Sequence, residues 1–197
     1  LTVTDATGAT QVMTYDLAGN LLTRTLPSGA SISVAYDSMN RPVRQVNALG
    51  GVTEIEYDLL GRITRVTDPL GAETTYAYDK NGNLLTVTDA LGGVISYAYD
   101  ALSRVISETA PDGGVTRYAY DSVGNLVSVT DALGSVTRYQ YDENGNLAAM
   151  TDALGQTVSL EYNKNGSATT AIQKNGGVLA TGYDKAGRVV FETDANG

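Results

Sequence analysis

The sequence predicts an all-β protein in which tandem β-hairpin repeats of 21 residues form one long curled antiparallel sheet. One tyrosine and one glycine recur in every unit, at the same spacing and in the same phase. β-Branched residues are dense and no window repeats at the 3.6-residue period, so helix is nearly excluded. The recurring tyrosines are Tyr15, Tyr36, Tyr57, Tyr78, Tyr99, Tyr120, Tyr141, Tyr162 and Tyr183.

Each unit begins with a turn of sequence Tyr-Asp-x-x-Gly-Asn/Arg. The fifth position is Gly in seven units, Asn40 in one and Ser103 in another. Because Gly and Asn tolerate positive φ, this position is predicted to be the left-handed residue of a hairpin loop. We expect the tyrosine to pack in the sheet and the aspartate to accept backbone N–H hydrogen bonds. The aspartates are Asp16, Asp37, Asp58, Asp79, Asp100, Asp121, Asp142 and Asp184, and Asn163 takes this position in the remaining unit.

Two strands complete the unit. In the unit that begins at Tyr78, the first strand is predicted over residues 83–88 and the second over residues 94–99. Alternate residues of the second strand share one face. The first strand carries adjacent apolar residues, such as Leu84 and Leu85, which indicates that both of its faces are partly covered.

A second turn, of sequence Asp-Ala/Pro-Leu-Gly, separates the two strands. Aspartate first, Pro or Ala second and Gly fourth is typical of a type I turn whose glycine takes the left-handed position. The glycines of this turn are Gly29, Gly50, Gly71, Gly92, Gly113, Gly134, Gly155 and Gly176.

The strand count sets the expected size of the sheet. Two strands per unit give roughly 18 strands, and at about 4.8 Å per strand the sheet would be too wide to stay flat. With 42% hydrophobic residues, the chain is expected to bury a sizeable core. Residues 1–197 are interpreted as a single array of about nine units and as a fragment of a larger protein.

Composition excludes several functions. The chain has 13 Lys and Arg against 22 Asp and Glu, a net charge of −9, which disfavours nucleic acid and anionic membranes as partners. No apolar stretch is long enough to span a bilayer, and no targeting signal is visible. Without Cys or His, thiol nucleophiles, imidazole bases, disulfides and the usual zinc sites are impossible.

The acidic and basic side chains of the repeat invite other interpretations. Asp79-Lys80-Asn81-Gly82-Asn83 resembles the start of a calcium loop, but its twelfth position is Ala90 instead of glutamate, so no specific calcium site is expected. No pair of acids breaks the repeat as a glycosidase cleft would, so we expect no catalytic residue, no metal and no cofactor. Four arginines after the first turn are predicted to pair with the turn aspartate: Arg41, Arg62, Arg104 and Arg188.

The repeated Tyr-Asp-x-x-Gly-Asn/Arg-Leu-x-x-x-Thr-Asp-Ala-Leu-Gly units resemble the YD repeats of bacterial Rhs (rearrangement hotspot) proteins, which are shared with the C-subunits of insecticidal toxin complexes and with teneurins. The resemblance covers essentially the whole chain. It implies a β-sheet that spirals into a hollow shell around a toxic C-terminal domain, in a secreted or cell-surface bacterial protein. The partners it implies are that enclosed domain and neighbouring YD repeats.

Two functions from different classes stay open. The first is a structural wall that encapsulates a toxin or effector domain for delivery. The second is a carbohydrate-binding or adhesive surface module, because exposed tyrosine rings and hydroxyls are groups that recognise sugars.

Overall fold

The computed structural model describes residues 1–193, which belong to two compact units, Leu1–Ser96 and Tyr97–Gly197. The strands of the first unit are β1 (Thr2–Thr4), β2 (Thr10–Tyr15), β3 (Leu21–Thr25), β4 (Ser31–Tyr36), β5 (Pro42–Val46), β6 (Val52–Tyr57), β7 (Ile63–Thr67), β8 (Glu73–Tyr78) and β9 (Leu84–Thr88), followed by β10 (Val94–Tyr99), which continues into the second unit. The second unit adds β11 (Val105–Thr109), β12 (Val115–Tyr120), β13 (Leu126–Thr130), β14 (Val136–Tyr141), β15 (Leu147–Thr151), β16 (Thr157–Tyr162), β17 (Ala168–Ile172), β18 (Val178–Tyr183) and β19 (Val189–Thr193).

Consecutive strands pair in antiparallel fashion within each unit. In the first unit the pairing runs from β1 to β10. In the second it runs from β11 to β19. Residues 1–193 contain no helix. The predicted all-β class and antiparallel hairpin repeat are therefore confirmed.

Two kinds of five-residue loop join the strands. The Tyr-Asp loop follows each repeat tyrosine, as at residues 58–62, and the Asp-Gly loop occupies the second turn, as at residues 89–93. Both share one backbone pattern: the Asp58 N–H donates to the Arg62 carbonyl at 2.9 Å, and the Asp89 N–H donates to the Gly93 carbonyl at 2.9 Å. Because strands alternate in direction, loops of one kind leave the strands of a unit at the same end.

A β-bulge follows the Tyr-Asp loop in eight repeats. Tyr78 pairs with Leu84 and Ala77 with Thr86, so Leu85 is left without a partner. The second of the two adjacent apolar residues is therefore the bulge. The predicted partial coverage of both faces is confirmed in strands such as β7, whose five residues are all half-buried. The bulge also keeps the repeats in phase. Side chains alternate between the two faces, so a shift of 21 residues, an odd number, would move a residue to the opposite face. One bulge residue in each repeat restores the equivalent residues to the same face.

The two faces of each sheet differ in chemistry. We call the face that carries the repeat tyrosines the tyrosine face. On β8 and β9 it presents Tyr78, Tyr76 and Val87, where Tyr76 pairs with Val87. The opposite face, which we call the polar face, carries Thr, Ser, Arg and Glu side chains. Arg65 on this face forms ion pairs with Glu56 at 3.5 Å and with Glu73 at 3.6 Å.

The expected core is absent from the part of the chain that the structure describes. No side chain in residues 1–193 is buried, although most residues of the tyrosine face are half-buried. The reason is that each sheet is one layer thick. Apolar side chains on the tyrosine face are shielded by neighbours on adjacent strands and by nothing stacked above them. The prediction of a sizeable core was wrong because the hydrophobic content of a chain does not specify a second layer that packs on the sheet.

Candidate functional site

The aspartate of the Tyr-Asp loop organises that loop. In residues 58–62, Oδ1 of Asp58 accepts hydrogen bonds from the backbone N–H groups of Leu60 and Arg62, each at 2.9 Å. This is the backbone acceptance that the sequence predicted. The same pair of bonds occurs at Asp16, Asp37, Asp58, Asp79, Asp100, Asp121, Asp142 and Asp184. Asn163 preserves it with its amide oxygen, at 2.9 and 3.1 Å.

The second carboxylate oxygen binds the side chain at the end of the loop. Where that residue is asparagine, its amide donates to Oδ2, as Asn83 does to Asp79 at 2.8 Å. Where it is arginine, Nε donates to the same oxygen, as in Arg62 to Asp58 at 2.6 Å. The predicted pairing of arginine with the turn aspartate is confirmed for Arg41, Arg62, Arg104 and Arg188.

These hydrogen bonds lower the pKa of all eight aspartates below the ordinary value of 3.8. At Asp37, the largest cause is the Arg41 side chain. At Asp58, it is the backbone N–H of Arg62. At Asp79, desolvation is the largest single effect and raises the pKa, but the hydrogen bonds from Asn83 and its neighbours together outweigh it. The loops therefore favour the ionised form.

The repeat tyrosine connects neighbouring strands. The Tyr57 hydroxyl donates to the carbonyl of Pro42, 15 residues earlier, at 2.9 Å. Backbone pairing of β5 with β6 covers Arg44 to Val46, so this carbonyl lies just beyond the ladder. The phenol thus satisfies an acceptor that the sheet leaves open. The same bond, at 2.9–3.1 Å, is made by Tyr36, Tyr57, Tyr78, Tyr120, Tyr141, Tyr162 and Tyr183. Tyr15, the first of the repeat tyrosines, donates instead to the sulfur of Met13.

Three arginines extend these contacts to the next repeat. The guanidinium of Arg62 lies over the ring of Tyr78, 4.6 Å from its centroid, and donates to the Asp79 carbonyl at 3.0 Å. Arg41 lies over Tyr57 at 4.4 Å in the same way. Arg104 repeats the arrangement over Tyr120 at 4.6 Å. Each of these side chains therefore joins a carboxylate of one repeat to an aromatic ring of the next.

The glycines of the Asp-Gly loop are left-handed, as the turn pattern predicted. Their φ angles lie between +76° and +86° at Gly29, Gly50, Gly71, Gly92, Gly113, Gly134, Gly155 and Gly176. Asn40 and Ser103, which replace glycine in two Tyr-Asp loops, also have positive φ, at 60° and 61°. The leucine before the glycine contributes only its backbone: the Leu91 N–H donates to Oδ1 of Asp89 at 2.9 Å, and the residue is 97% exposed.

A second set of tyrosines lies on the tyrosine face. These residues stand two positions before a repeat tyrosine and are Tyr76, Tyr97, Tyr118 and Tyr139. Within the described residues, their hydroxyls make no hydrogen bond. The sequence showed the alternation that places them on this face, but their free hydroxyls depend on which carbonyls the neighbouring strands present.

Residues 1–193 contain neither a membrane-spanning helix nor a cluster of acids suited to a metal ion. No helix there is long and apolar enough to cross a membrane. No group of three or more Asp and Glu side chains in that part is placed to hold a metal ion.

Comparison with known families identifies the repeat. The profile of the RHS Repeat family matches residues 15–52, 57–94, 78–115, 99–136, 120–157 and 141–178, which together make up more than half of the chain. The chain belongs to the RHS repeat family. The Tyr-Asp loops and their tyrosines are thus the recurring elements of an RHS array. No curated protein sequence matches the chain.

Solved structures with the same fold as this RHS array come from toxin complexes. A crystal structure of TcdB2-TccC3-TEV matches 93% of the chain at 20% identity with a TM-score of 0.75. A crystal structure of TcdB2-TccC3 matches 98% at 17% identity with a TM-score of 0.61. A Tc holotoxin pore from Photorhabdus luminescens matches 98% at 18% identity, also with a TM-score of 0.61. The RHS array spans 11% of the first of these chains and 13% of the other two.

Proposed function

We propose that this RHS array is part of the wall of a β-shell that encloses and shields a C-terminal effector domain of the same parent polypeptide, in a secreted or cell-surface protein. The observation that carries the proposal is the single-layer sheet. No side chain in residues 1–193 is buried, so both faces of each unit are free to contact other molecules. A wall needs this property, because one face meets the enclosed domain and the other meets solvent.

The tyrosine face is the better candidate for the inner surface. It mixes aliphatic side chains, threonines and tyrosines, and carries few charges, so it can contact a polypeptide without presenting a continuous hydrophobic patch. The polar face is suited to solvent because its charges pair with one another. Arg44, for example, lies 3.9 Å from Glu54, and both side chains are about half exposed.

The chemistry of the repeat supports a wall without catalysis. The aspartates of the Tyr-Asp loops are ionised acceptors occupied by the loop itself, as at Asp58. Most of the repeat tyrosines donate their hydroxyls to backbone carbonyls, as Tyr57 does. These groups are therefore committed to structure. The similarity of fold to toxin-complex structures adds the expectation that the enclosed domain is a toxin.

The test uses the parent polypeptide with and without these repeats. Deleting residues 15–182 removes whole units, whereas deleting residues 78–98 removes a single unit and leaves the remaining hairpins in phase. We expect the first deletion to expose the effector domain to protease and make it toxic to the producing cell. The second deletion should preserve most of the protection. An effector that stays silent and protease-resistant without residues 15–182 would refute the proposal.

Carbohydrate binding is the second candidate function, and the free tyrosine hydroxyls favour it. Tyr118 and Tyr139 present half-exposed rings and unbonded hydroxyls on one face of the second unit. Rings and hydroxyls of this kind can stack on and hydrogen-bond to sugars. A glycan array probed with the purified chain separates the two functions. Selective binding that is lost in Tyr118→Ile and Tyr139→Ile would favour the surface module.

A further inference from the structure

Glu108 interrupts an aliphatic row on the tyrosine face. At 21-residue spacing, the equivalent positions on either side are Val66, Val87 and Val129. Glu108 is paired with Thr116 on β12, two residues before Tyr118. The residues of one face alternate along β12, so Tyr118 lies on the same face and diagonally opposite Glu108. A carboxylate thus stands between two repeats that carry valine at this position, Val87 and Val129.

The Glu108 carboxylate and the Tyr118 hydroxyl have unused binding capacity. Within residues 1–193, Glu108 makes no ion pair or hydrogen bond, and the hydroxyl of Tyr118 has no partner. No other Asp, Glu, Lys or Arg occurs on the tyrosine face of strands β11–β18. Desolvation raises the pKa of Tyr118, and the negative charge of Glu108 and the nearby Tyr120 and Tyr97 add to the shift. Glu108 thus places a negative charge within a cluster of tyrosines.

The same chain shows what such a cluster binds. Arg41 lies over a tyrosine ring at 4.4 Å while its guanidinium contacts the Asp37 carboxylate at 2.6 Å. Arg62 and Arg104 repeat this arrangement over tyrosines at 4.6 Å. Glu108 and Tyr118 offer the same two groups, a carboxylate and a tyrosine ring, without an arginine of their own. A guanidinium matches both, through charge and through stacking on the ring.

From this arrangement we infer that Glu108 and Tyr118 form a binding site for an arginine side chain of an extended basic polypeptide. The carboxylate neutralises the guanidinium and the Tyr118 ring supports its flat face. The net charge of −9 attracts basic segments to the chain in general, and Glu108 provides a fixed contact on the tyrosine face. The inference deepens the proposed function, because the basic segment would belong to the polypeptide that the wall encloses.

The test measures binding of a short fluorescent peptide with alternating arginines to the isolated chain, with a citrulline version as the neutral probe. Glu108→Val is compared with Glu161→Gln, which removes the same charge from the polar face. Tyr118→Ile is compared with Tyr139→Ile, in the same row but without a carboxylate beside it. Valine and isoleucine stand at the equivalent positions Val129 and Ile55, so the variants suit the fold.

We expect Glu108→Val and Tyr118→Ile to weaken arginine-peptide binding about five-fold, and both controls to leave it unchanged. The citrulline peptide should bind weakly to every variant. Equal loss in Glu108→Val and Glu161→Gln would overturn the inference, because net charge alone would then explain binding. Equal binding of the two peptides would also overturn it. Circular dichroism confirms that each variant is folded. The parent polypeptide is not involved, so failure here leaves the shell proposal to its own experiment.

Discussion

At the residue scale, the tyrosine and the aspartate that recur in the Tyr-Asp motif have different structural roles. The aspartate fixes its own loop through bonds that reach no further than four residues, as from Asp58 to Arg62. The tyrosine instead binds a carbonyl 15 residues earlier, as Tyr78 binds Ile63 at 2.9 Å. Aspartate therefore shapes a hairpin loop, and tyrosine ties that hairpin to the strand before it.

Tyr78→Phe tests the tie between strands. The variant removes a half-buried hydroxyl that donates to the Ile63 carbonyl, so we expect the free energy of unfolding to fall by about 1 kcal/mol. Tyr76→Phe is the matched control on the same strand, since its hydroxyl makes no hydrogen bond in the described residues. Urea denaturation measures both. Equal stability of the two variants would contradict the assigned role of the Tyr78 hydroxyl.

Asp58→Asn tests the carboxylate. The pKa of Asp58 is lowered in the fold, so its contribution is complete above about pH 5 and is lost as the pH falls through the folded value, below about pH 4. Asparagine can keep the backbone bonds, as Asn163 does, but not the charged contact with Arg62. We expect a lower thermal midpoint than wild type at pH 7 and a difference that narrows as the pH falls below the ordinary value of 3.8. A gap that is constant across this range would contradict the assignment.

At the element scale, each hairpin repeat combines two loops of equal length with one bulge. The Asp-Gly loop joins strands in a regular register, as in Thr88 paired with Val94. The Tyr-Asp loop requires the bulge at Leu85 before regular pairing resumes. Together they return every tyrosine to the same face despite the odd repeat length.

Gly92→Val tests the left-handed loop position. Gly92 has φ of +83°, and a Cβ atom there would meet nothing within 4 Å. Any loss of stability therefore reports backbone strain instead of a clash, and we expect about 1–3 kcal/mol. Gly92→Asn should cost less, because asparagine tolerates this region and Asn40 adopts it with φ of 60°. Chemical denaturation would contradict the assignment if Val and Asn gave the same stability.

Deletions test the role of the repeat unit. Removing residues 78–98 takes out one whole unit, so the flanking strands keep their faces. Removing residues 79–88 takes out one Tyr-Asp loop together with β9, so that Tyr78 directly precedes the Asp-Gly loop in place of Thr88. Tyr78 would then pair with Val94, which lies on the polar face of the intact protein. Every later tyrosine then lies on the wrong face. We expect the shorter deletion to lower the thermal midpoint more than the longer one, and the reverse order would show that the phase of the faces does not matter.

At the scale of the whole molecule, stability is distributed over many similar contacts between neighbouring strands, because no side chain in residues 1–193 is buried. Arrays of this kind gain stability from contacts between adjacent repeats. Their end strands are the weak points, because an unpaired strand edge can pair with another chain. Within residues 1–193, β19 pairs with β18 along one edge, and all five residues of β19 are exposed.

Association through β19 follows from this exposure. Val190 is 60% exposed and Phe191 is 55% exposed, so the strand offers both backbone groups and apolar side chains to a second chain. We expect light scattering to show association that increases with protein concentration. Val190→Lys should reduce it, because a lysine on an edge strand opposes edge-to-edge pairing. Monomeric behaviour of the unmodified chain at high concentration would contradict the prediction.

The repeat length, the two loops, the left-handed glycines and the pairing of Arg62 with Asp58 were all predictable from the sequence. The repeat length follows from the spacing of the motifs, and the other three features depend on interactions within about five residues, which the chain carries wherever it folds. Tertiary structure decided which carbonyl each tyrosine binds, where Leu85 leaves the ladder, and that Glu108 lies beside Tyr118. It also decided that the expected core does not form in residues 1–193. These features depend on strand register and on what packs against a face, and neither is specified by local composition.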